Sequence, residues 1–285
     1  MSTLRLTAAI ALVAASASAA EIRLPQASPA ATVALTVGVT DIAITYHRPG
    51  VKGRQIWGVL VPFDQVWRLG ANEATTISFS DPVKVAGKDV PAGTYALFAI
   101  PGREHWTIIL NTQAQQWGAY FRKPDEDVLH FEVTPEQTVP CEWMRFTLEP
   151  LGADKAVVAM QWEELRVAFP ISVDVSRVVW ASLDAALAKA GPADLDPYFQ
   201  AAKYSLDSGE RADRALGWAE RALAIKPMFW TFELEARLLH RAGRTAEALP
   251  LVAKAIADAK GKAPQEYIAG LEKARDEWTK TAAKH

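Results

Sequence analysis

The chain of 285 residues carries 31 lysines and arginines against 33 aspartates and glutamates, a formal charge of −2. That balance gives no electrostatic reason to expect nucleic acid or an anionic membrane surface as a partner. Cys141 is the single cysteine, which excludes an intrachain disulfide, so stability has to come from the core, with Cys141 as a small buried hydrophobe.

The first residues, MSTLRLTAAIALVAASASAA, hold one early basic residue, an apolar run and then small residues, with Ala17 and Ala19 placed as in an A-x-A cleavage site. Residues 1–20 therefore read as a secretory signal peptide. No later segment approaches the ~18 uninterrupted apolar residues of a membrane span. A periplasmic or extracellular protein without a membrane anchor is expected.

Residues 21–175 alternate short β-rich runs with turn chemistry. TVALTVGV, DIAITYH, TTISFS, PVKVAG, TYALFAI, HWTIILN, VLHFEVT, WMRFTLE, AVVAMQW and LRVAFPI make ten predicted strands, and AGKD, VPAG and PGRE supply the glycines and prolines of tight turns. The predicted architecture is an antiparallel β-sandwich or jelly-roll-like domain.

Residues 176–285 predict a second, segregated α-helical domain, in which alanine, leucine and charged residues replace the β-branched runs. RADRALGWAERALA from Arg211 aligns with RTAEALPLVAKAIA from Arg244 at a shift of 33 residues, close to the ~34-residue period of tetratricopeptide repeats. Ala215 and Ala222, matched by Ala248 and Ala255, are small enough for close helix pairing. The pattern resembles tetratricopeptide-like hairpins over about 195–260, with a last helix from Pro264 to Lys280 as a cap. Two repeats fall short of the ~3 that a free-standing solenoid needs, so the helices are expected to lean on the sandwich or on a protein partner. Phe229, Trp230 and Phe232 enter one helix together, either to bury between hairpins or to form a docking face.

The stretch from Tyr46 to Ser80, YHRPGVKGRQIWGVLVPFDQVWRLGANEATTISFS, joins two predicted strands through a long segment of little strand periodicity. Such connections are uncommon and usually functional or disordered. Ile56, Trp57, Val59, Leu60, Val61, Phe63, Val66 and Trp67 need burial, so this one is expected to be packed. Arg48, Lys52, Arg54 and Arg68 outnumber Asp64 and Glu73 by two. In a concavity lined by Trp57 and Trp67 they could hold a carboxylate, a phosphate or a sugar acid, and aromatic faces beside Arg68, Asn72 and Glu73 also suit a neutral sugar. The candidate ligand-binding residues are Arg48, Lys52, Arg54, Trp67, Arg68, Asn72, Glu73 and Thr75. The plainer alternative pairs Arg68 with Glu73 or Asp64 and uses Asn72 to satisfy a turn in which Gly70 takes the difficult dihedral.

The combination RP, KGR, WR, GANEATT and AGTY, followed by Asn111 and the Trp117-Gly118 pair, resembles the exported bacterial family catalogued as domain of unknown function 2911, over roughly Tyr46 to Ile171. The resemblance implies a domain boundary and a choice of residues, Arg48, Pro49, Lys52, Gly53, Arg54, Trp67, Arg68, Gly70, Ala71, Asn72, Glu73, Thr75, Gly93 and Tyr95 among them, and no reaction. His47 departs from the pattern.

Hydrolytic and phosphate-binding signatures such as G-x-S-x-G, H-E-x-x-H and a glycine-rich phosphate loop are missing from the sequence. His47, His105 and His130 fall on separate predicted strands or strand ends, so neither a metal nor another cofactor is expected. The expected function is binding: a small polar or glycan ligand on the β domain, and a protein partner on the helices. The alternative is a hydrolase of a sugar or ester substrate using Glu73 and Asp64, two carboxylates that would have to stand ~5–9.5 Å apart. An arginine beside Glu73 would depress its pKa, which suits a base or nucleophile and not a general acid.

Overall fold

A computed structural model of the protein describes residues 24–282. Residues 1–20, read from the sequence as a signal peptide, lie outside them. Among the described residues ten strands precede six helices: β1 (Ala30–Val37), β2 (Thr40–His47), β3 (Thr76–Phe79), β4 (Val83–Val85), β5 (Lys88–Val90), β6 (Gly93–Pro101), β7 (Trp106–Asn111), β8 (Asp127–Val133), β9 (Glu136–Pro150) and β10 (Lys155–Val173), then α1 (Val175–Lys189), α2 (Leu195–Ser208), α3 (Ala212–Ile225), α4 (Phe229–Arg241), α5 (Thr245–Ala259) and α6 (Gln265–Ala282). The chain divides into two compact units, one holding, among the described residues, 24–35, 41–80 and 84–171, the other holding the helices from Ser172 together with the segments 36–40 and 81–83. None of the described helices is long and apolar enough to cross a membrane.

The β unit is a pair of antiparallel sheets, ordered β1-β2-β3-β6-β7-β8 and β5-β4-β10-β9. Period-two alternation places Ile42, Ile44, Ile77, Leu97, Ile108 and Leu110 on one face of the larger sheet, all essentially inaccessible to solvent. Two differences from the sequence reading have local causes. AVVAMQW and LRVAFPI belong to a single strand, β10, whose register slips on either side of Glu163, which takes a positive φ of 54°. The acidic pair Glu163-Glu164 interrupts the alternation, and a bulge absorbs it without ending the strand. Cys141 is half-buried instead of buried, its thiol donating to the Trp143 carbonyl at 3.3 Å.

Four tryptophans form the centre of the sandwich. Trp57 packs edge-on against Trp106, Trp162 and Trp67 at centroid distances of 5.0, 5.8 and 5.9 Å, while Trp67 stacks on Trp162 at 5.8 Å. The indole N–H of Trp67 donates to the Gly70 carbonyl at 3.2 Å. Those of Trp57, Trp106 and Trp162 are buried without an oxygen partner. Edge-to-face packing turns ring edges toward neighbouring π faces, a weaker substitute for a carbonyl.

The opposite face of the larger sheet is also covered. Ala74, Ala96, Phe98 and Ile109 are buried there beneath Val66, Ile100 and Ala119. Ala119 comes from the connection between β7 and β8, so that connection is a strap across the sheet.

In the helical unit, Asp174 caps α1 by accepting the Arg177 amide at 3.0 Å. Ala215, Ala222, Ala248 and Ala255, the four positions matched by the 33-residue shift, are fully buried in α3 and α5. Phe229, Trp230 and Phe232 are half-buried. Phe229 meets Tyr267 and Trp230 meets Phe199 edge-on. On α4, burial first and then the neighbouring Glu220 push the Glu235 carboxyl above its ordinary value, against weaker pulls from Arg244 and Lys254, and its Oε2 is buried without a partner. A raised carboxylate costs stability above its folded pKa, and that cost is relieved as pH falls through it. Glu235→Gln is therefore expected to melt above the parent at pH 8, with the difference closing toward pH 4; a variant that melts lower at pH 8 would show that the carboxylate has a stabilising partner.

Candidate functional site

The long connection from Arg48 to Thr75 is packed through Ile56, Val61 and Trp67, whereas Val59 and Leu60, expected to be buried, are exposed; it serves two places. Its first part is stitched to β9: Val51 N bonds Glu142 O at 2.8 Å and Met144 N bonds Pro49 O at 3.0 Å. Arg48 Nε donates to Met144 O at 2.9 Å, and Arg54 donates to the carbonyls of Gly50 and Val51. Lys52 gives its amide to Glu142 Oε1 at 2.9 Å and sets its ammonium over the Trp143 ring at 5.5 Å. These three cations are occupied in closing the loop onto the sheet.

The second part runs back along β6. Asp64 N bonds Pro101 O at 2.8 Å, Trp67 and Ala99 exchange bonds of 2.7 and 2.9 Å, and Leu97 N bonds Thr75 O at 2.7 Å. Between Trp67 and Thr75 the chain leaves the sheet and returns. Thr75 Oγ1 donates to Leu69 O at 2.7 Å and its amide to Arg68 O at 3.2 Å, closing the neck. Gly70 is required there, since a Cβ would stand 2.9 Å from Thr75 Oγ1 and 3.1 Å from His47 O. The difficult dihedral expected at Gly70 falls instead on Leu69 and Asn72, with φ of 49° and 58°. Asparagine tolerates that region, whereas for leucine it costs about 1–2 kcal/mol.

The tip of this excursion pairs with the strap. Ala74 N bonds Gln116 O at 2.9 Å and Gly118 N bonds Asn72 O at 3.1 Å, while the Asn72 side chain donates to Gln26 Oε1 at 2.8 Å. The far end of the strap is anchored by charge. Asp127, with 2 % of its side chain exposed, accepts from Asn111 Nδ2 at 2.8 Å and from Arg122, and its Oδ2 lies 2.7 Å from His130 Nε2. Burial pushes the Asp127 carboxyl up, but the bonds from Arg122, Asn111 and His130 outweigh it and hold the group below its ordinary value. Fully buried Asn111 also donates to Lys123 O at 3.1 Å and accepts the Gln113 amide at 2.9 Å, so one asparagine shapes both ends of the strap.

Between excursion and strap lies an open concavity of about 460 Å³, bordered by Thr45, His47, Glu73, Gln115, Gln116 and Trp117. Glu73 Oε2 stands 3.3 Å from His47 Nδ1, with its side chain 57 % exposed. Gln116 is 8 % exposed; its amide nitrogen donates to Gln113 O at 2.6 Å, but its Oε1 is buried with no partner among the described residues. The Trp117 ring is 54 % exposed, and Tyr120 and Phe121 farther along the strap are exposed at 80 % and 69 %.

The eight residues singled out from the sequence are thus not gathered in one place. Arg48, Lys52 and Arg54 lie against β9, Trp67 is inside the tryptophan cluster, and Asn72 and Thr75 hold the excursion in shape. The expectation that Trp57 and Trp67 line a concavity fails because both rings pack into the core. Glu73 borders the concavity with its carboxylate beside His47, and Arg68, which does not border it, keeps a buried Nε without a partner. Arg68 forms no hydrogen bond or ion pair with a side chain of the described residues: its Nε is buried without a partner, and burial pushes the guanidinium below arginine's ordinary value, with the nearby Tyr120 pulling the other way. The expected pairing of Arg68 with Glu73 or Asp64 is therefore not made; Glu73 turns to His47, and Asp64 is exposed where its amide meets Pro101. His47, Gln116 and Tyr120 were not among the residues singled out; QQWGAY, a polar pair beside two aromatics, was the available signal for the strap.

No curated protein and no solved structure matches the chain. A family model matches residues 28–171, which contain the excursion, the strap and all ten strands except the last two residues of β10, and stop short of the helices. On that match the chain belongs to the family described as "Protein of unknown function (DUF2911)".

Proposed function

We propose that the β unit is a binding module for a small polyhydroxylated ligand, a sugar, held in the concavity between excursion and strap. The observation that carries this reading is the unpartnered, buried Oε1 of Gln116 at the wall of a cavity that also offers the exposed Glu73 carboxylate, beside His47, and the exposed Trp117 side chain. Carboxylate and amide oxygens accept from hydroxyls, and an indole face takes the apolar side of a pyranose ring. The strained φ of Leu69 is consistent with a segment held in shape for use. Hydrolysis by Glu73 with Asp64 draws no support from the concavity, which Glu73 borders and Asp64 does not. Thermal denaturation of the mature chain against a panel of neutral and acidic sugars tests the reading. A reproducible rise, following RT ln(1 + [L]/Kd), should vanish in Trp117→Ala while the unliganded variant melts with the parent. A rise that survives Trp117→Ala places the ligand elsewhere.

A second reading concerns the helical unit, which we propose binds a segment of another exported protein. Its support is a groove of about 610 Å³ whose walls include Phe199, Phe229, Trp230, Tyr267 and Trp278. The charges at its edge are matched internally: Lys203 bonds Asp207 at 2.6 Å, and Glu233 takes both Arg237, at 2.7 Å, and the Tyr267 hydroxyl. An internally neutral aromatic groove favours an apolar stripe over a charged peptide.

A further inference from the structure

We propose that the sugar taken by the concavity is an amino sugar, whose protonated amine sits between the Glu73 carboxylate and the Trp117 ring; this rests on the sugar-binding reading above and deepens it. The placement follows from the backbone. Ala74 N bonds Gln116 O at 2.9 Å and Gly118 N bonds Asn72 O at 3.1 Å, so Glu73 and Trp117 face each other in an antiparallel bridge as the pair that exchanges no bond of its own. Residues opposed in this way project to the same side, with Cα atoms about 4.5 Å apart and side chains at their closest. The Glu73 side chain is 57 % exposed and Trp117 is 54 % exposed, and both border the concavity. A carboxylate is thus held beside an accessible indole.

This pair selects a cation. The indole face attracts an ammonium through its ring quadrupole, and the carboxylate attracts it by charge. No lysine or arginine borders the concavity, so with His47 neutral the carboxylate has no counter-charge there, and an anionic sugar would be repelled. The hydrogen-bonding groups lean the same way. Gln116 spends its amide nitrogen on Gln113 O at 2.6 Å and keeps a buried Oε1 without a partner. An amide oxygen and an ionised carboxylate only accept, whereas an ammonium only donates and has no lone pair to satisfy. A hydroxyl in the same place would bring lone pairs that call for donors. The choice of an amino sugar over a simple amine comes from the volume of about 460 Å³, which leaves room for a ring against the indole once the ammonium is seated.

The test is calorimetric titration of the mature chain at low salt with a glucosamine tetramer, its N-acetylated counterpart, a glucose tetramer and butylamine. Parent, Glu73→Gln and Trp117→Ala are compared. The glucosamine tetramer is expected to bind about ten-fold more tightly than the glucose tetramer, the scale of one charge-assisted hydrogen bond. Glu73→Gln should abolish that preference and keep the affinity for the glucose tetramer, and Trp117→Ala should lose both. Added salt should weaken the glucosamine tetramer alone. Melting of the unliganded variants guards against a folding artefact: Glu73→Gln, nearly isosteric at an exposed position, should melt with the parent. Equal binding of the three tetramers, lost in Trp117→Ala, overturns the amine and leaves the sugar site standing. A preference for the N-acetylated tetramer overturns the role of charge, and a glucosamine preference that survives Glu73→Gln overturns the placement. Butylamine binding as tightly as the glucosamine tetramer overturns the sugar reading together with this one, as does binding of none of the four.

Discussion

Asp127→Ala is expected to cost about 3–5 kcal/mol, the scale of removing one side of a buried ion pair, and to lower Tm by roughly 10 °C. Three groups lose their acceptor at once: the Arg122 guanidinium, the Asn111 amide and the His130 ring. Because the Asp127 carboxyl titrates below its ordinary value of 3.8, its stabilisation is fully present above that value and is lost as pH falls through the lower, folded one. Denaturation of parent and Asp127→Asn between pH 7 and pH 2.5 checks the sign. The gap between them should be widest at neutral pH and close only below the usual carboxylate range; a gap independent of pH would mean that shape and not charge holds the strap. Since the strap frames the concavity, ligand affinity should fall with strap order even though Asp127 is not among the residues bordering it.

Trp106→Ala is expected to cost about 3–5 kcal/mol, measured as the urea midpoint at unchanged slope. The ring is 1 % exposed and contacts Trp57 and Trp67 at 5.0 and 6.2 Å, so its removal leaves a cavity that the rigid sheets cannot close. Trp117→Ala, with an exposed ring, should stay within about 0.5 kcal/mol of the parent. The contrast separates two uses of tryptophan in one domain. A loss below about 1 kcal/mol at Trp106 would mean that the cluster collapses around the gap and does not set the position of Trp67. The Trp67 indole bonds Gly70 O, so the cluster fixes the neck of the excursion, and a Trp106 variant that still folds should bind ligand more weakly.

Much of the architecture was legible because it is written in local periodicity. TDIAITYH alternates and forms β2 with Ile42 and Ile44 inward, and the 33-residue shift between two alanine-bearing segments falls on α3 and α5. The acidic pair Glu163-Glu164 divided one long strand in the reading, because a bulge tolerates charges that a regular strand of the same face would reject. At the site, GANEATT was legible as a polar segment leading into a strand. What each of its side chains touches was not readable, since Glu73 meets His47 across 26 positions of sequence and Gln116 reaches the excursion from a different connection.

From the sequence alone follow the segregation of strands from helices, the need to pack the long connection, and the family residues that shape it, all consequences of spacing and side-chain chemistry along a short length of chain. Only the tertiary structure decided that Trp57 and Trp67 are core and Trp117 is surface, that Arg48 and Arg54 are closed onto backbone carbonyls, and that Arg68 is left without an acid. The physical reason is that burial and charge pairing depend on which distant segments a sheet brings together, and residue type carries no record of that partner.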